Sequence, residues 1–455
     1  MGTERASRVR SSRLGRLGQM GRLATGMAGG VMSAGARRLI SRERPALRDL
    51  MLTPGNLSRV ATEMAQLRGA AMKLGQLLSM DAGQLLPAEL SVLLDRLRAD
   101  ADTMPGSQLR AVLAAEWGAD WQNQFADFNF RPMAAASIGQ VHRAVTHDGR
   151  ALAIKVQYPG VARSIDSDID NVATLLRLTR LVPAGLDLAP LLAEAKQQLH
   201  AEADYGQEAA AMTRYAAWLE RDPHLVVPTV DTGLSTERVL AMPWLSGEPV
   251  DRLVHSPATV RNEAVRWLLE LLFRELFEFN CVQTDPNFAN FLYDASARHL
   301  VLLDFGATRD YGAPVVSGYR ALLTAALDDD AAAMADAACQ IGYFGQAITP
   351  AQRDAVLALF RIATEPLRHE GVYDFSRSDI AQRIRQQGMA LSLEQGYWHS
   401  PPMDALFLHR KLAGLYLLAC RLQAQVDLRP LRRWLVDDAA AQDDARSRSA
   451  GSSTA

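Results

Sequence analysis

An aspartate and an asparagine stand five residues apart in Gln283-Thr284-Asp285-Pro286-Asn287-Phe288-Ala289-Asn290. A second aspartate closes the apolar run Leu302-Leu303-Asp304-Phe305-Gly306. This spacing constrains the chain more than any other feature, because it sets two side-chain acceptors on one loop and a third at the end of a strand. Oxygen donors of this kind suit a hard octahedral cation such as Mg2+, whose shell is completed by phosphate and water oxygens. The implied reaction class is phosphoryl transfer from a nucleotide, with ATP and Mg2+ as cofactors. Asn290 and Asp304 are the expected metal ligands. Asp285 is the expected carboxylate beside the attacking group.

Length and composition bound the rest. At 455 residues the chain is too long for one ordinary domain, and two or three are expected. Hydrophobic residues make up 48% and charged residues 22%, the balance of a globular protein with a sizeable core. The net charge of −2 gives no argument for a nucleic-acid partner. Cys281, Cys339 and Cys420 are far apart and form no paired motif, so they read as small apolar residues in a reducing compartment.

The chain divides by pattern into five stretches. Residues 1–45 open with Arg5, Arg8, Arg10, Arg13, Arg16 and Arg22, which over the first 22 residues meet Glu4 alone, and recurrent glycines disfavour a stable helix in water. No apolar signal-peptide core follows the arginines. Two readings stay open here, a flexible basic tail and a segment lying on an anionic lipid surface. Residues 46–127 are helical: Val60, Met64, Leu67, Ala71, Leu74 and Leu78 recur at three and four residues, and a later helix covers Ser107 to Trp117. Residues 128–245 bring strands. The runs Ile138 to Ala144 and Leu152 to Val156 flank His147-Asp148-Gly149, a hairpin turn. Helices over Ser167 to Leu181 and Leu188 to Leu219 follow, then strands at Thr229-Val230 and Arg238 to Met242. Pro243 to Pro249, with Gly247, is the expected hinge. Residues 246–438 hold a long apolar helix (Val260 to Asn280), the acidic loop, the strand His299 to Leu303, and then helices almost to Asp438. Residues 439–455 lack large apolar side chains and read as a disordered tail.

Lys155, at the end of a strand in Ala153-Ile154-Lys155-Val156, precedes the acidic set in the order that protein kinases use. There such a lysine contacts the α- and β-phosphates and pairs with a helix glutamate. Glu208 is the expected partner, on a helix with Glu202 and Asp204. Kinases roof the phosphates with a glycine loop. Here the corresponding stretch is Ala134-Ala135-Ala136-Ser137-Ile138-Gly139-Gln140-Val141, whose methyl groups restrict the backbone and tighten the roof. Gln283 stands where kinases carry the His of their HRD motif, no arginine precedes Asp285, and no APE motif follows Gly306. Control by an activation-loop phosphate is therefore not expected, and neither is a protein-substrate platform.

These residues resemble the UbiB-type atypical kinases, also called the aarF-domain-containing (ADCK) family, over roughly Ser11 to Leu431. The most specific likeness is Lys73-Leu74-Gly75-Gln76, which looks like the family's KxGQ signature. The alanine loop matches its replacement for the glycine loop, and Glu202-Ala203-Asp204-Tyr205 resembles its ExD motif, which leaves Glu208 as the ion-pair glutamate. The acidic loop and Leu408-His409-Arg410-Lys411 are closest to the mitochondrial Coq-type branch. The resemblance implies an α+β, two-lobed protein-kinase-like fold, mainly helical, with an N-terminal helical KxGQ extension over the cleft. It makes Lys73, Gly75, Gln76, Glu202 and Asp204 regulatory residues that restrain access. It implies Mg-dependent ATPase activity supporting ubiquinone biosynthesis. The partners implied are an anionic membrane surface, quinone-precursor lipids and ubiquinone biosynthetic enzymes, and a homodimer is allowed. A nucleotide-binding scaffold and a lipid or small-molecule kinase are the alternatives. Leu406 to Leu422 contains His409, Arg410, Lys411 and Arg421, so a transmembrane helix is not expected. The implied location is a bacterial-type cytoplasmic one, peripheral to the membrane.

Overall fold

The computed structural model describes residues 70, 73, 104–136, 138–179, 188–345, 347–397, 399 and 401–436. The basic segment, most of the helical extension, Gly75, Gln76, Ser137 and the tail lie outside the described residues. The chain forms two compact units. One comprises the residues up to Arg214 together with Pro228–Leu245; the other comprises Tyr215–Val227 together with the residues from Ser246 on.

The first unit is built on an antiparallel sheet. Its strands run in the order Phe125–Phe128, Gly139–Thr146, Ala151–Gln157, Val239–Pro243, with the short strand Ala134–Ala135 added to Gly139–Thr146. Alternation along the third strand decides its faces. Leu152, Ile154 and Val156 are buried in the core, so Ala153 and Lys155 point to the other side. Helix Gly106–Trp117 covers the apolar face with Leu109 and Leu113, four residues apart on one stripe and fully buried. Trp121, Phe125 and Phe128 continue that core as a run of ring contacts, with Trp121 and Phe128 centroids 5.0 Å apart. The hairpin turn needs the left-handed backbone that Gly149 supplies at φ +87°.

Three expectations are corrected here. The first strand begins at Phe125, inside the stretch assigned to the helical extension, because Phe125 and Phe128 pair with Thr146 and Ala144. The single helix expected from Leu188 to Leu219 is two, Leu188–Glu202 and Tyr205–Trp218. Asp204 makes the break: its Oδ1 accepts from the backbone N–H of Gly206 and Gln207 at 3.0 and 3.1 Å, which starts the second helix. Thr229-Val230 is not a strand. Leu225–Val226 is, because the Asp222 carboxylate accepts from His224 and Leu225 N–H and turns the chain one step earlier.

The second unit holds a four-stranded sheet in the order Leu225–Val226, His299–Leu302, Phe291–Asp294, Glu248–Pro249. A separate two-stranded ladder pairs Cys281–Gln283 with Thr308–Asp310. Helix Ala258–Phe277 leads into this ladder through Asn280, which takes a left-handed turn at φ +51°. The two pairings bracket the functional segments. The loop from Gln283 to Asn290 begins in one ladder and ends in the other, and Asp304 lies between His299–Leu302 and Thr308–Asp310. The boundary of the two units falls between Leu245 and Ser246, within the stretch Pro243 to Pro249 expected as the hinge, and Gly247 there packs closely, since an added Cβ would lie 2.8 Å from Leu292 Cβ. The C-terminal half is helical, from Ala313–Leu327 to Met403–Arg421, as its pattern predicts. It also contains two strands that the sequence did not reveal, Val372–Asp374 and Gln425–Asp427, each three residues long. Among the described residues no helix is long and apolar enough to cross a membrane.

Candidate active site

In the first unit, strand Ala151–Gln157 carries Lys155 on the face away from the core. Its Nζ donates to both carboxylate oxygens of Glu208, at 2.8 Å each. Glu208 is 1% exposed, and it sits in the first turn of helix Tyr205–Trp218, where the helix dipole favours an anion. The Lys155 ammonium also lies 5.2 Å from the centre of the Tyr205 ring. A fixed carboxylate and an aromatic face therefore hold this cation at the end of its stem.

The alanine stretch is not helical. Ala134–Ala135 is strand, exposed, and the Ala136 N–H donates to Gly139 O at 2.8 Å to turn the chain. Gly139 is required there, since an added Cβ would lie 2.5 Å from Val156 O and 2.8 Å from Tyr205 Oη. Of the residues expected to cradle phosphate, Ile138 and Gln140 turn their side chains inward. The Gln140 amide accepts from Met104 N–H at 2.8 Å and meets His142 Nε2 at 2.7 Å, so only its backbone is left for a ligand. Burial holds His142 below the usual imidazole range, and its Nδ1–H donates to Asn129 O at 2.8 Å. Val141 is partly exposed.

Lys73 and Glu202, 129 residues apart, form an ion pair in which both side chains are largely buried. Asp204, grouped with them from sequence, instead caps a helix and also accepts from Gln207 Nε2 at 3.0 Å.

In the second unit the acidic set is drawn together. Asn290 Nδ2 donates to Asp285 Oδ2 at 3.2 Å, which leaves the Asn290 Oδ1 as an acceptor. Leu303 N–H donates to Asn290 O at 3.0 Å, and Asp304 Oδ1 accepts from Gly306 N–H at 3.0 Å. Asn290 and Asp304 line one small cavity with Tyr215, Glu275 and Gln283. Among the described residues no three His, Cys, Asp or Glu side chains gather as a metal site. The donor set suits a cation that shares its shell with phosphate, where two protein oxygens suffice.

Helix Met403–Arg421 supplies what the loop lacks. Arg410 donates to Asp285 Oδ1 at 2.8 Å, so an arginine reaches this aspartate from 125 residues away rather than from the preceding position. Lys411, 1% exposed, donates to Gln283 O and Gln283 Oε1 at 2.8 Å and lies 3.6 Å from Glu275 Oε2. Glu275 in turn accepts from Tyr215 Oη at 3.0 Å and from Gln283 N–H at 3.2 Å. Desolvation lowers the Lys411 pKa and raises that of Glu275, against their mutual attraction. His409, stacked on Tyr343, is held neutral by burial with its pKa lowered to about 4. None of these partners was singled out for the site from sequence. The available signal was ionisable residues on an otherwise apolar helix, which supported the Coq-branch likeness and argued against a membrane span but were given no place in the site.

Residues 96–338 match the ABC1 atypical kinase-like domain. The chain belongs to the ABC1, or UbiB/COQ8, family of atypical kinases. It is 39% identical over 430 residues to the mitochondrial atypical kinase COQ8B of Rattus norvegicus, covering 94% of this chain and 81% of that one. It is 36% identical to the mitochondrial atypical kinase COQ8 of Saccharomyces cerevisiae, covering 93% and 85%. A solved structure from Mycobacterium tuberculosis, Rv3197 in complex with erythromycin, aligns over 91% of this chain and 98% of its own with a TM-score of 0.57 at 23% identity, a likeness of fold. The two-lobed, kinase-like α+β fold and the Coq-branch affinity of this UbiB member agree with the sequence reading. The relatives named here are mitochondrial, so the expected bacterial-type character finds no counterpart in them.

Proposed function

We propose that this UbiB-family chain is a Mg-dependent ATPase that supports ubiquinone biosynthesis at a membrane surface. The observation that carries the reading is the two-oxygen grip of Glu208 on Lys155. It holds a cation ready for the α- and β-phosphates without free rotation, so little ordering remains for the moment of binding. Asn290 and Asp304 are the metal ligands. Bound Mg2+ supplies charge neutralisation on the phosphate oxygens. Asp285, held by Asn290 and Arg410, orients the attacking water or hydroxyl. The backbone of Ala134 to Val141 covers the phosphates, and Lys73, the first residue of the KxGQ motif, is held by Glu202. Turnover then drives release or handover of prenylated quinone precursors to biosynthetic enzymes, with an anionic membrane surface as the site of work.

Phosphate release from ATP by the full chain, with Mg2+ and with anionic vesicles, tests the reading. Asp304→Asn is expected to abolish release. Unchanged release would remove Asp304 as a metal ligand.

A scaffold role is favoured by one observation, the ion pair of Asp285 with Arg410, which occupies one carboxylate oxygen of the expected catalytic residue. Restoration of quinone synthesis by Lys155→Met in a deletion strain would select that reading.

A further inference from the structure

The loop that carries Asp285 departs from ordinary kinases in lacking its own anchors, since Gln283 replaces a histidine and no arginine precedes the aspartate. Helix Met403–Arg421 meets this loop at three successive points. Arg410 reaches Asp285, Lys411 reaches Gln283, and Gly414 lies against Pro286. Positions 410, 411 and 414 fall on one face of a helix at 3.6 residues per turn. The approach at Gly414 leaves no room for a side chain. An added Cβ would lie 3.0 Å from Pro286 Cγ and closer still to Pro286 Cβ. A proline ring cannot swing aside as the end of a long side chain can, so a side chain at 414 must move the loop or the helix. Beneath this contact Lys411 is fixed from two directions. It donates to a backbone carbonyl and a side-chain oxygen of Gln283, and it faces Glu275 of helix Ala258–Phe277. Leu415 and Leu418 bury the same helix in the core of the unit.

We infer that helix Met403–Arg421 is the template for the Asp285 loop, and that Gly414 and Lys411 are positioning residues for ATP turnover. Gly414 sets how closely the helix approaches Pro286, and Lys411 fixes the start of the loop two residues before Asp285. Neither touches nucleotide; both act through the placement of Asp285. The inference rests on the ATPase reading for its kinetic consequence, but the hold on the loop is a separate, measurable matter.

The test compares Gly414→Ala with Leu417→Ala in the full chain. Leu417 is 53% exposed on the same helix. Alanine is a better helix former than glycine, so helix propensity alone predicts an equal or more stable protein for Gly414→Ala. The template role predicts faster amide exchange over residues 283–290. It also predicts a fall in kcat of roughly ten- to a hundredfold, with KM for ATP changed by less than about twofold. Leu417→Ala should change neither exchange nor kcat. Should Gly414→Ala fail to fold, the double variant Lys411→Met/Glu275→Gln removes both buried charges together and is expected to give the same kinetic split. Wild-type exchange over 283–290 together with wild-type kcat in Gly414→Ala would overturn the inference, as would equal losses in Leu417→Ala. Absence of turnover in the unmodified protein would overturn the ATPase reading instead, and the exchange comparison alone would then decide the helix's hold on the loop.

Discussion

Lys155–Glu208 in the first unit and Lys411–Glu275 in the second are both lysine–glutamate pairs, yet they differ in how closely they meet and in how far they are buried. Lys155 meets both oxygens of Glu208 at 2.8 Å and keeps a side chain 12% exposed. Lys411 stands 3.6 Å from Glu275, both are 1% exposed, and its hydrogen bonds go to Gln283 instead. The first pair is tight and its lysine keeps a little exposure, where the proposed function brings a phosphate. The second is almost fully buried, and its lysine donates to the backbone and side-chain oxygens of Gln283 at the start of the acidic loop. Burial without direct hydrogen bonding costs desolvation energy that attraction only partly offsets, so the second pair is held for placement rather than for net stability.

The largest effect expected from this contrast is on folding. Lys411→Met leaves the Glu275 carboxylate buried without its cation and should cost about 3–5 kcal/mol, read by denaturant unfolding. Lys155→Met should cost less stability, yet lower kcat/KM for ATP by about a hundredfold. If the two variants lost stability equally, the distinction between the pairs would collapse. The combined variant Lys411→Met/Glu275→Gln comes next. Exchanging both charges for neutral groups should recover most of the lost stability, to within about 2 kcal/mol of the parent, while turnover stays low. Recovery of turnover as well would mean that the buried pair has no part in placing the loop.

The smallest effect concerns pH. His409 lies two residues before Lys411 and is neutral when folded, with its pKa at about 4 against an ordinary value of 6.5. A depressed folded value means that the unfolded chain takes up the proton first. The stability from the neutral ring is complete above pH 6.5 and is lost as the pH falls toward about 4. Allowing for partial exposure of the ring, the loss is on the order of 2 kcal/mol. His409→Phe should flatten the melting temperature over this interval. An unchanged slope would show that the ring is solvated.

The elements that place Lys155 were legible because they obey local rules. Alternation at Leu152, Ile154 and Val156 defined a strand, and His147-Asp148-Gly149 defined its turn. Asp285, Asn290 and Asp304 were legible from spacing along one stretch of chain. The supports of that loop were not, because Arg410, Lys411 and Glu275 come from distant helices and no local pattern pairs them with residues 283 to 286. The inward turn of the Gln140 side chain was not legible for a related reason. Its place in the phosphate roof says where its backbone lies, whereas the partners that turn its side chain inward, Met104 and His142, depend on packing. The break at Asp204 was missed because an acidic residue reads equally well as a mid-helix surface position and as a cap for the helix that follows.

Under the proposed function, nucleotide binding depends on Mg2+ held by Asn290 and Asp304. Thermal unfolding of the full chain with ATP, in Mg2+ and in EDTA, tests it most directly, since a ligand that binds only the folded form raises the melting temperature. A concentration-dependent rise is expected with Mg2+ and ATP, absent in EDTA and absent in Asp304→Asn. An equal rise in EDTA, or a full rise in Asp304→Asn, would contradict it.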